Sequence, residues 1–205
     1  MVKAQAGVLG TDDDRRTEGK MRGTVTAFVT DPADAEWVAT HLRPLVGLES
    51  VAETGSSRRE EAFAAWRRFL EALAEARPLV LVFEDLHWAD DALLDFVDYL
   101  VDWATGVPIL VVGTARPELL SRRPGWSGGN PNALTLSLSP LSEAETAQLV
   151  HALLERPLLE ADVQRTLLER AGGNPLYAEE FVRMLGERAD SELPLPETVQ
   201  GLIAA

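Results

Sequence analysis

Two short apolar runs constrain the fold of this chain most. Leu79–Phe83 reads LVLVF and residues 107–112 read VPILVV, and neither run shows the alternation of a strand with one solvated face. A continuous apolar run is typical of a strand that is buried on both faces of a parallel sheet. Apolar residues at helical spacing between the two runs predict a helix that ends near residue 104. The succession of strand, helix and strand predicts a βαβ unit with a right-handed crossover.

The remaining periodicity is mostly helical. Residues 10–23 are polar and predict a loop or a frayed segment. Ser142 and Glu145 have the spacing of a capping box, and Pro175 has the favoured first position of a helix. Alternating leucines predict a third strand over residues 133–138. The other predicted elements are helices over residues 34–46, 58–76, 142–154, 160–171, 175–188 and 197–205, and an extended stretch over residues 193–196.

The pattern changes near residue 140, where strand-like runs stop and only helical periodicity follows. We therefore expect two parts, an α/β core over residues 1–139 and an all-helical region over residues 140–205. The predicted fold class is α/β, with a parallel sheet followed by helices.

Composition and charge exclude several classes of function. The chain has 205 residues, no cysteine and a formal net charge of −14. Without cysteine there is no disulfide or thiolate metal site, and the acidic balance disfavours nucleic-acid binding, which needs clustered Lys and Arg. No apolar run is long enough to span a bilayer, and residues 1–16 lack the apolar core of a secretory signal. We expect a cytoplasmic protein without direct nucleic-acid or membrane contacts.

Two carboxylates follow the first apolar run directly. Glu84 and Asp85 stand at the carboxyl end of a predicted parallel strand, where open α/β sheets bind ligands. In phosphoryl-transfer enzymes of the P-loop type, the first acid at this place holds Mg²⁺ and its neighbour polarises the attacking water. The alternative is that both acids only cap and solvate the end of a strand.

The segment after these acids carries a family resemblance. LHWAD at residues 86–90 resembles the Walker B segment of the STAND class of AAA-like signalling ATPases. GTARPEL at residues 113–119 resembles the sensor segment of that class, and GGNPL at residues 172–176 resembles its G-x-P element. Residues 2–9 and 38–48 resemble the stretch after the phosphate-binding loop in the cyclase-linked branch.

The resemblance implies a P-loop NTPase-like parallel sheet, with ATP and Mg²⁺ as cofactors. It implies a regulatory domain of a larger protein, linked to an adenylate or guanylate cyclase or to a DNA-binding output domain, and a nucleotide-dependent oligomer. The site residues that it implies are Glu84 for Mg²⁺, Asp85 for the attacking water, and Arg116, Gly173, Asn174 and Pro175 for the nucleotide.

The phosphate-binding loop of the class is missing from this sequence. The G-x-x-x-x-G-K-[ST] pattern needs a lysine, and the chain has only Lys3 and Lys20. Lys20 follows Gly19, but Asp14 stands where the first glycine belongs and Met21 stands in the Ser/Thr position. We therefore expect the loop and the first strand upstream of Met1, an incomplete sheet, and a fragment that is also truncated at its C-terminus.

Several of these residues have a structural alternative. His87 could be a metal ligand together with Glu84 or Asp90, but their spacing matches no recognised metal signature. We expect His87 and Trp88 to pack the turn and Asp90 to cap the next helix. A surface role is the alternative for Arg116, and the end of a helix is the alternative for Gly173, with Asn174 as the next cap.

Three hypotheses about function follow. The first is an ATP- and Mg²⁺-binding regulatory NTPase domain that is unable to hydrolyse ATP alone. The second is a non-catalytic interaction or structural module derived from such an ATPase, which the missing loop favours. The third is an unrelated metal-dependent hydrolase built on Glu84, Asp85, His87 and Asp90.

Overall fold

The computed structural model describes residues 2–49, 56–126, 128–154 and 161–187. The chain divides into two compact units, Met1–Thr135 and Leu136–Ala205. The composition had placed the boundary between residues 139 and 140, and the assignment of an ATPase core and a helical region to the two parts stays a prediction.

The first unit contains a pair of strands and six α-helices among its described residues. A single 3-10 turn, Leu86–Trp88, lies between the first strand and the helix that follows it. The elements are α1 Val2–Gln5, α2 Asp14–Phe28, α3 Pro32–Val46, α4 Ser56–Ala76, β1 Leu79–Phe83, α5 Asp91–Trp103, β2 Ile109–Gly113 and α6 Glu118–Arg122.

The predicted βαβ unit is confirmed. Strand β1 pairs with β2 in parallel, in a register that runs from Leu79 opposite Ile109 to Phe83 opposite Gly113. Helix α5 connects the two strands, and the sheet of the described residues consists of this one pair. Asp90 begins α5 as predicted, because its side chain accepts a hydrogen bond from the Leu93 amide at 2.8 Å.

The prediction that both faces of the sheet are buried is wrong. Leu81 points into the main core, where it joins the α4 and α5 side chains Phe69, Phe96 and Leu100. The opposite face carries four aliphatic side chains that remain 40–59% exposed. Helices α4 and α5 therefore cover one face only, although apolar residues occupy both. The four exposed residues, here called the open face, are Val80, Val82, Leu110 and Val112.

The predicted third strand is also not formed. Residues 133–138 have no regular secondary structure, and their three leucines are 74–94% exposed. Alternating leucines produce a strand only where a neighbouring strand accepts and donates the backbone hydrogen bonds, and the two described strands pair with each other alone.

The prediction of a loop or frayed segment over residues 10–23 is wrong, because helix α2 occupies most of this range. The Asp13 side chain caps the helix by accepting from the Arg16 amide at 2.8 Å. Thr17, Met21 and Val25 follow at four-residue spacing and are buried. The polar residues between them face outwards and obscure this stripe in the sequence.

The main core lies among α2, α3, α4 and the covered face of the sheet. The helices predicted over residues 34–46 and 58–76 are confirmed with slightly earlier starts. The aromatic stripe of α4 belongs to the core as expected, with Phe63 and Phe69 buried and Trp66 partly buried against them. The Trp66 indole nitrogen donates to the carbonyl oxygen of His41 at 2.9 Å.

The second unit is helical in its described residues. It contains α7 Glu143–Leu153, α8 Ala161–Ala171 and α9 Pro175–Glu187. The predicted capping box is confirmed, since Ser142 and Glu145 bond each other's backbone amides. Val150, Leu167 and Phe181 form its buried cluster. The helix predicted over residues 197–205 and the stretch over residues 193–196 lie outside the described residues.

No helix in the described parts of the chain is long and apolar enough to cross a membrane.

Candidate functional site

The two predicted site carboxylates lie at the carboxyl end of β1. Glu84 and Asp85 are exposed. Asp85 has φ 55° and ψ 39°, the left-handed region, and no other described non-glycine residue has a positive φ. Aspartate tolerates this conformation better than most residues, and here it turns the chain from the strand into Leu86–Trp88. The residues 84–90 between β1 and α5 are called the acidic turn below.

Thr114 fixes the start of the acidic turn. Its amide donates to the carbonyl oxygen of Phe83 at 2.9 Å, and its own carbonyl oxygen accepts from the Leu86 amide at 2.9 Å. The Thr114 hydroxyl oxygen accepts from the Asp85 amide at 3.2 Å. The segment after β2 therefore extends the pairing of the strands by one residue and aligns the backbone that carries both carboxylates.

The acids are not used as caps. Asp85 stands before the 3-10 turn, but its side chain makes no capping hydrogen bond. The Nδ1 of the His87 ring lies 3.9 Å from the Asp85 Oδ1. Asp85 therefore does not cap the turn, while the exposure of both carboxylates agrees with solvation of the strand end as well as with ligand binding.

His87 packs the turn as predicted, whereas Trp88 does not. The His87 side chain is 6% exposed, and its Nδ1 accepts from the Arg116 amide in a long contact of 3.4 Å. The Nε2 atom of His87 is buried without a hydrogen-bond partner in the described part of the chain. Trp88 is 79% exposed, and its ring lies 5.1 Å from the ring of His87.

Arg116 lies near the acidic turn, and its contact with phosphate stays a prediction. It follows β2 by three positions, at the same edge of the sheet as Glu84 and Asp85, and it is exposed. The structure thus brings Glu84, Asp85 and Arg116 to one edge of the first unit. An open groove of about 830 Å³ runs from the Val80 and Val82 side of the sheet to the two carboxylates and Trp88.

Arg122 is a part of the site that the sequence reasoning missed. Its Nη1 donates to the carbonyl oxygen of His87 at 3.2 Å, and its Nη2 donates to the carbonyl oxygen of Ala89 at 2.6 Å. The same guanidinium therefore bridges two backbone carbonyls of the acidic turn. The sequence showed only a pair of adjacent arginines, and nothing in their spacing indicated this contact.

The neighbouring arginine has a different role. Arg123 donates through Nη2 to Asp95 of α5 at 2.5 Å, and Arg59 of α4 pairs with the same carboxylate. Burial of the Asp95 carboxyl opposes its charged form, but the hydrogen bonds and charges of Arg123 and Arg59 hold its pKa below the ordinary value. Arg123 thus ties α6 to the helices of the core.

A small apolar cluster supports the acidic turn from below. Leu86, Leu94 and Leu119 are buried together, and Phe83 and Trp126 pack against them. A Cβ atom added at Gly113 would lie 2.7 Å from the Leu86 Cδ1. The glycine at the end of β2 therefore permits the close packing of Leu86 under the turn.

The G-x-P element lies in the second unit. Gly173 has φ 78° between α8 and α9, and a Cβ atom there would lie 2.3 Å from the carbonyl oxygen of Leu141. The Asn174 Oδ1 accepts from the Leu176 amide at 3.0 Å, which caps α9, and Pro175 is the exposed first residue of that helix. The structural alternative is therefore realised at Gly173 and Asn174, while nucleotide contacts of these residues and of Pro175 stay predictions.

Lys20 has a structural role. Lys20 lies inside α2, and its Nζ donates to the carboxylate of Asp12 at 2.6 Å and to the carbonyl oxygen of Gly7 at 2.9 Å. These bonds hold the residues before α2 in place. Within the residues that the structure describes, no three His, Asp or Glu side chains converge as a metal-binding group, so the metal-hydrolase set of Glu84, Asp85, His87 and Asp90 is not assembled.

A parallel βαβ unit with paired carboxylates after its first strand defines an α/β domain with acids at the carboxyl end of its sheet. Residues 10–112, half of the chain, match the family described as AAA ATPase domain, and the chain belongs to this family. The match includes the acidic turn and ends before Arg116 and the G-x-P element.

The chain is also similar to an uncharacterized protein of Rhizobium meliloti (strain 1021). The two are 31% identical over 137 residues, which cover 65% of this chain but only 13% of that protein. The chain therefore spans a small part of the length of this relative. No solved structure matches the chain.

Proposed function

We propose that this chain is an ATP- and Mg²⁺-binding regulatory part of a larger signal-transduction protein of the STAND class. The observation that carries the proposal is the acidic turn. Glu84 and Asp85 are exposed at the ligand-binding edge of the sheet, and their backbone is fixed by Thr114. Membership of the AAA ATPase domain family makes a nucleotide the expected ligand of this edge.

The donor atoms at the edge fit the expected ion. Mg²⁺ is bound through one or two carboxylates together with waters and substrate phosphates, and two exposed carboxylates supply such ligands. In this proposal Glu84 holds Mg²⁺, Asp85 orients a water molecule, and Arg116 contacts phosphate. Gly173, Asn174 and Pro175 contribute the contact with the base. Bound Mg²⁺ would supply neutralisation of the phosphate charge.

Hydrolysis by this chain alone is expected to be negligible. Its only lysines are Lys3 and Lys20, and Lys20 is held by Asp12 inside the first unit. Without a phosphate-binding loop the β- and γ-phosphate oxygens lack the amides and the lysine that normally neutralise them. A regulatory role through nucleotide binding therefore fits the residues better than turnover does.

The larger context is part of the proposal. The matched relative is several times longer than this chain, which supports a multidomain parent. In such a parent the regulated output domain is a cyclase or a DNA-binding domain. Nucleotide binding changes the activity of that domain or the assembly of the parent protein.

A second function is favoured by the open face. Four aliphatic side chains on one face of a parallel sheet remain exposed, and such faces are normally covered. A non-catalytic interaction module would use this surface for protein contacts and would not require nucleotide.

A calorimetric titration separates the two. The folded chain is titrated with ATP in the presence of Mg²⁺ and again in the presence of EDTA. The regulatory NTPase domain predicts weak binding that Mg²⁺ strengthens, and Glu84→Gln should remove the Mg²⁺-dependent gain. Glu118→Gln is the control, because Glu118 is an exposed acid on α6 outside the acidic turn. Absence of binding in a chain that circular dichroism shows to be folded would favour the interaction module.

A further inference from the structure

The acidic turn has few hydrogen bonds of its own. Between β1 and α5 the turn is closed by the Trp88 amide on the Asp85 carbonyl at 2.8 Å and by the Ala89 amide on the Leu86 carbonyl at 3.1 Å. The carbonyl oxygens of His87 and Ala89 receive their donors from Arg122 instead. The conformation of the turn thus depends on a side chain that is distant in the sequence.

The bridge requires the shape of a guanidinium. Two carbonyls that are two residues apart are contacted by two different nitrogens, Nη1 and Nη2, of one planar group. A lysine ammonium is a compact charge, which cannot reproduce both contacts in a fixed geometry. The site therefore distinguishes Arg122 from a general positive charge.

Helix α6 joins Arg122 to the segment that carries Arg116. The Leu119 amide donates to the carbonyl oxygen of Arg116 at 3.0 Å, and the Arg123 amide donates to that of Leu119 at 2.8 Å. Leu119 is buried against Leu86 below the turn. Residues 116–123 consequently form one short, anchored body.

Besides the packing of Leu119 on Leu86, this segment makes two polar contacts with the acidic turn. At its start the Arg116 amide donates to the His87 ring, and at its end Arg122 holds the His87 and Ala89 carbonyls. A displacement of the Arg116 backbone is therefore transmitted to the turn that carries Glu84 and Asp85. Rigid coupling of this kind makes two binding events interdependent.

We propose that Arg122 is a positioning residue, which fixes the acidic turn and couples ligand contact at Arg116 to metal binding at Glu84. The coupling rests on the proposed nucleotide function, whereas the fixing of the turn does not. Arg122 touches neither ligand in this scheme. It acts through the backbone of His87 and Ala89.

The experiment compares Arg122→Ala, Arg122→Lys and Arg123→Ala in the 205-residue chain. Arg123 is the matched control, because it is the adjacent arginine on the same helix end and its side chain contacts Asp95 and Asp91 of α5 instead of the His87 and Ala89 carbonyls. Three quantities are measured for each variant. They are amide hydrogen exchange at Leu86 and Ala89, ATP affinity with Mg²⁺ and with EDTA, and the thermal midpoint.

In Arg122→Ala, exchange at Leu86 and Ala89 should rise roughly tenfold, the factor that corresponds to about 1.4 kcal/mol for a charged hydrogen bond. The ratio of the ATP affinity with Mg²⁺ to the ATP affinity with EDTA should fall towards one. The affinity measured in EDTA should stay as in the wild type. Arg122→Lys should show smaller defects than Arg122→Ala in amide exchange and in the Mg²⁺-dependent gain, but it should not reach the wild-type values. Arg123→Ala should lower the thermal midpoint and keep the Mg²⁺-dependent gain.

Two results would overturn the proposal. One is wild-type exchange at the acidic turn in Arg122→Ala, and the other is an equal loss of the Mg²⁺-dependent gain in Arg123→Ala. A wild-type chain without any Mg²⁺-dependent gain would instead refute the proposed function, and the exchange data would still decide whether Arg122 fixes the turn. If Arg122→Ala does not fold, Arg122→Lys supplies the same comparison.

Discussion

Replacing Leu81 with alanine should destabilise the first unit far more than the same replacement of Leu110. The two leucines lie on adjacent strands, and the register pairs Leu81 with Val111 and Leu110 with Val80. Their side chains therefore point to opposite faces of the sheet. Leu81 is 2% exposed within the main core, whereas Leu110 is 57% exposed on the open face.

The magnitudes follow from these two environments. A buried leucine that is cut to alanine loses its transfer free energy and leaves a cavity, so Leu81→Ala should cost about 3 kcal/mol. Leu110 has less than half of its surface buried, and its loss together with the lower strand propensity of alanine should cost about 1 kcal/mol. The difference of about 2 kcal/mol is large beside a total stability of roughly 5–15 kcal/mol.

Urea unfolding followed by tryptophan fluorescence measures this difference in the first unit alone. All five tryptophans lie within Met1–Thr135, so the signal does not report on the second unit. The midpoints can be compared if the denaturant slopes of the two variants agree. Equal losses of unfolding free energy for Leu81→Ala and Leu110→Ala would refute the exposure of the open face, since Leu110 would then be covered in solution. The tryptophans are Trp37, Trp66, Trp88, Trp103 and Trp126.

Four further substitutions test the close packing and the charge contacts. Gly113→Ala should cost about 1 kcal/mol by pushing the added Cβ onto Leu86, and the same fluorescence assay detects it. Gly173→Ala should reduce the thermal midpoint of the second unit by circular dichroism, while Gly172→Ala should cost less because its Cβ meets no atom within 4 Å. Glu18→Gln should make the free energy of unfolding fall less steeply as the pH is lowered. Hydrogen bonds from Arg43 and then Arg22 hold the pKa of Glu18 below its ordinary 4.5, so this stability is present above 4.5 and is lost as pH falls through the folded value.

Local patterns were sufficient to predict the βαβ unit. The apolar runs, the capping aspartate at position 90 and the apolar stripe of α5 are each readable within about ten residues. The capping box at Ser142 and the proline at the start of α9 are equally local. Elements whose stabilising contacts join residues close in the sequence were therefore predicted correctly.

The wrong predictions concern partners that local patterns do not contain. Apolar alternation over residues 133–138 predicts a strand, but a strand also needs a partner at its edge. The continuous run of β1 predicts burial on both faces, but burial depends on what covers the second face. In α2 the opposite error occurred, because a stripe of Thr17, Met21 and Val25 was hidden by polar neighbours.

The candidate site divides in the same way. Glu84 and Asp85 were predicted from their position after a strand, which is a local property. Thr114 and Arg122 were missed as supports of the acidic turn, because their contacts span 29 and 33–35 residues. Thr114 could have been found from the predicted register, since it directly follows the strand that pairs with β1. Arg122 had no such signal.

Several carboxylates of the first unit form hydrogen bonds or ion pairs that stabilise the fold, and this contrast supports the proposed ligand at the acidic turn. Asp12 holds Lys20, Asp90 caps α5, and Asp95 binds two arginines. By contrast, Thr114 holds the backbone at Asp85 and Arg122 holds the carbonyls of His87 and Ala89, while the Asp85 side chain makes no capping hydrogen bond. A left-handed aspartate costs backbone free energy, and such conformations persist where the surrounding structure determines them. The fold thus fixes the backbone of two acids and leaves their side chains exposed, which is compatible with the cation site proposed above.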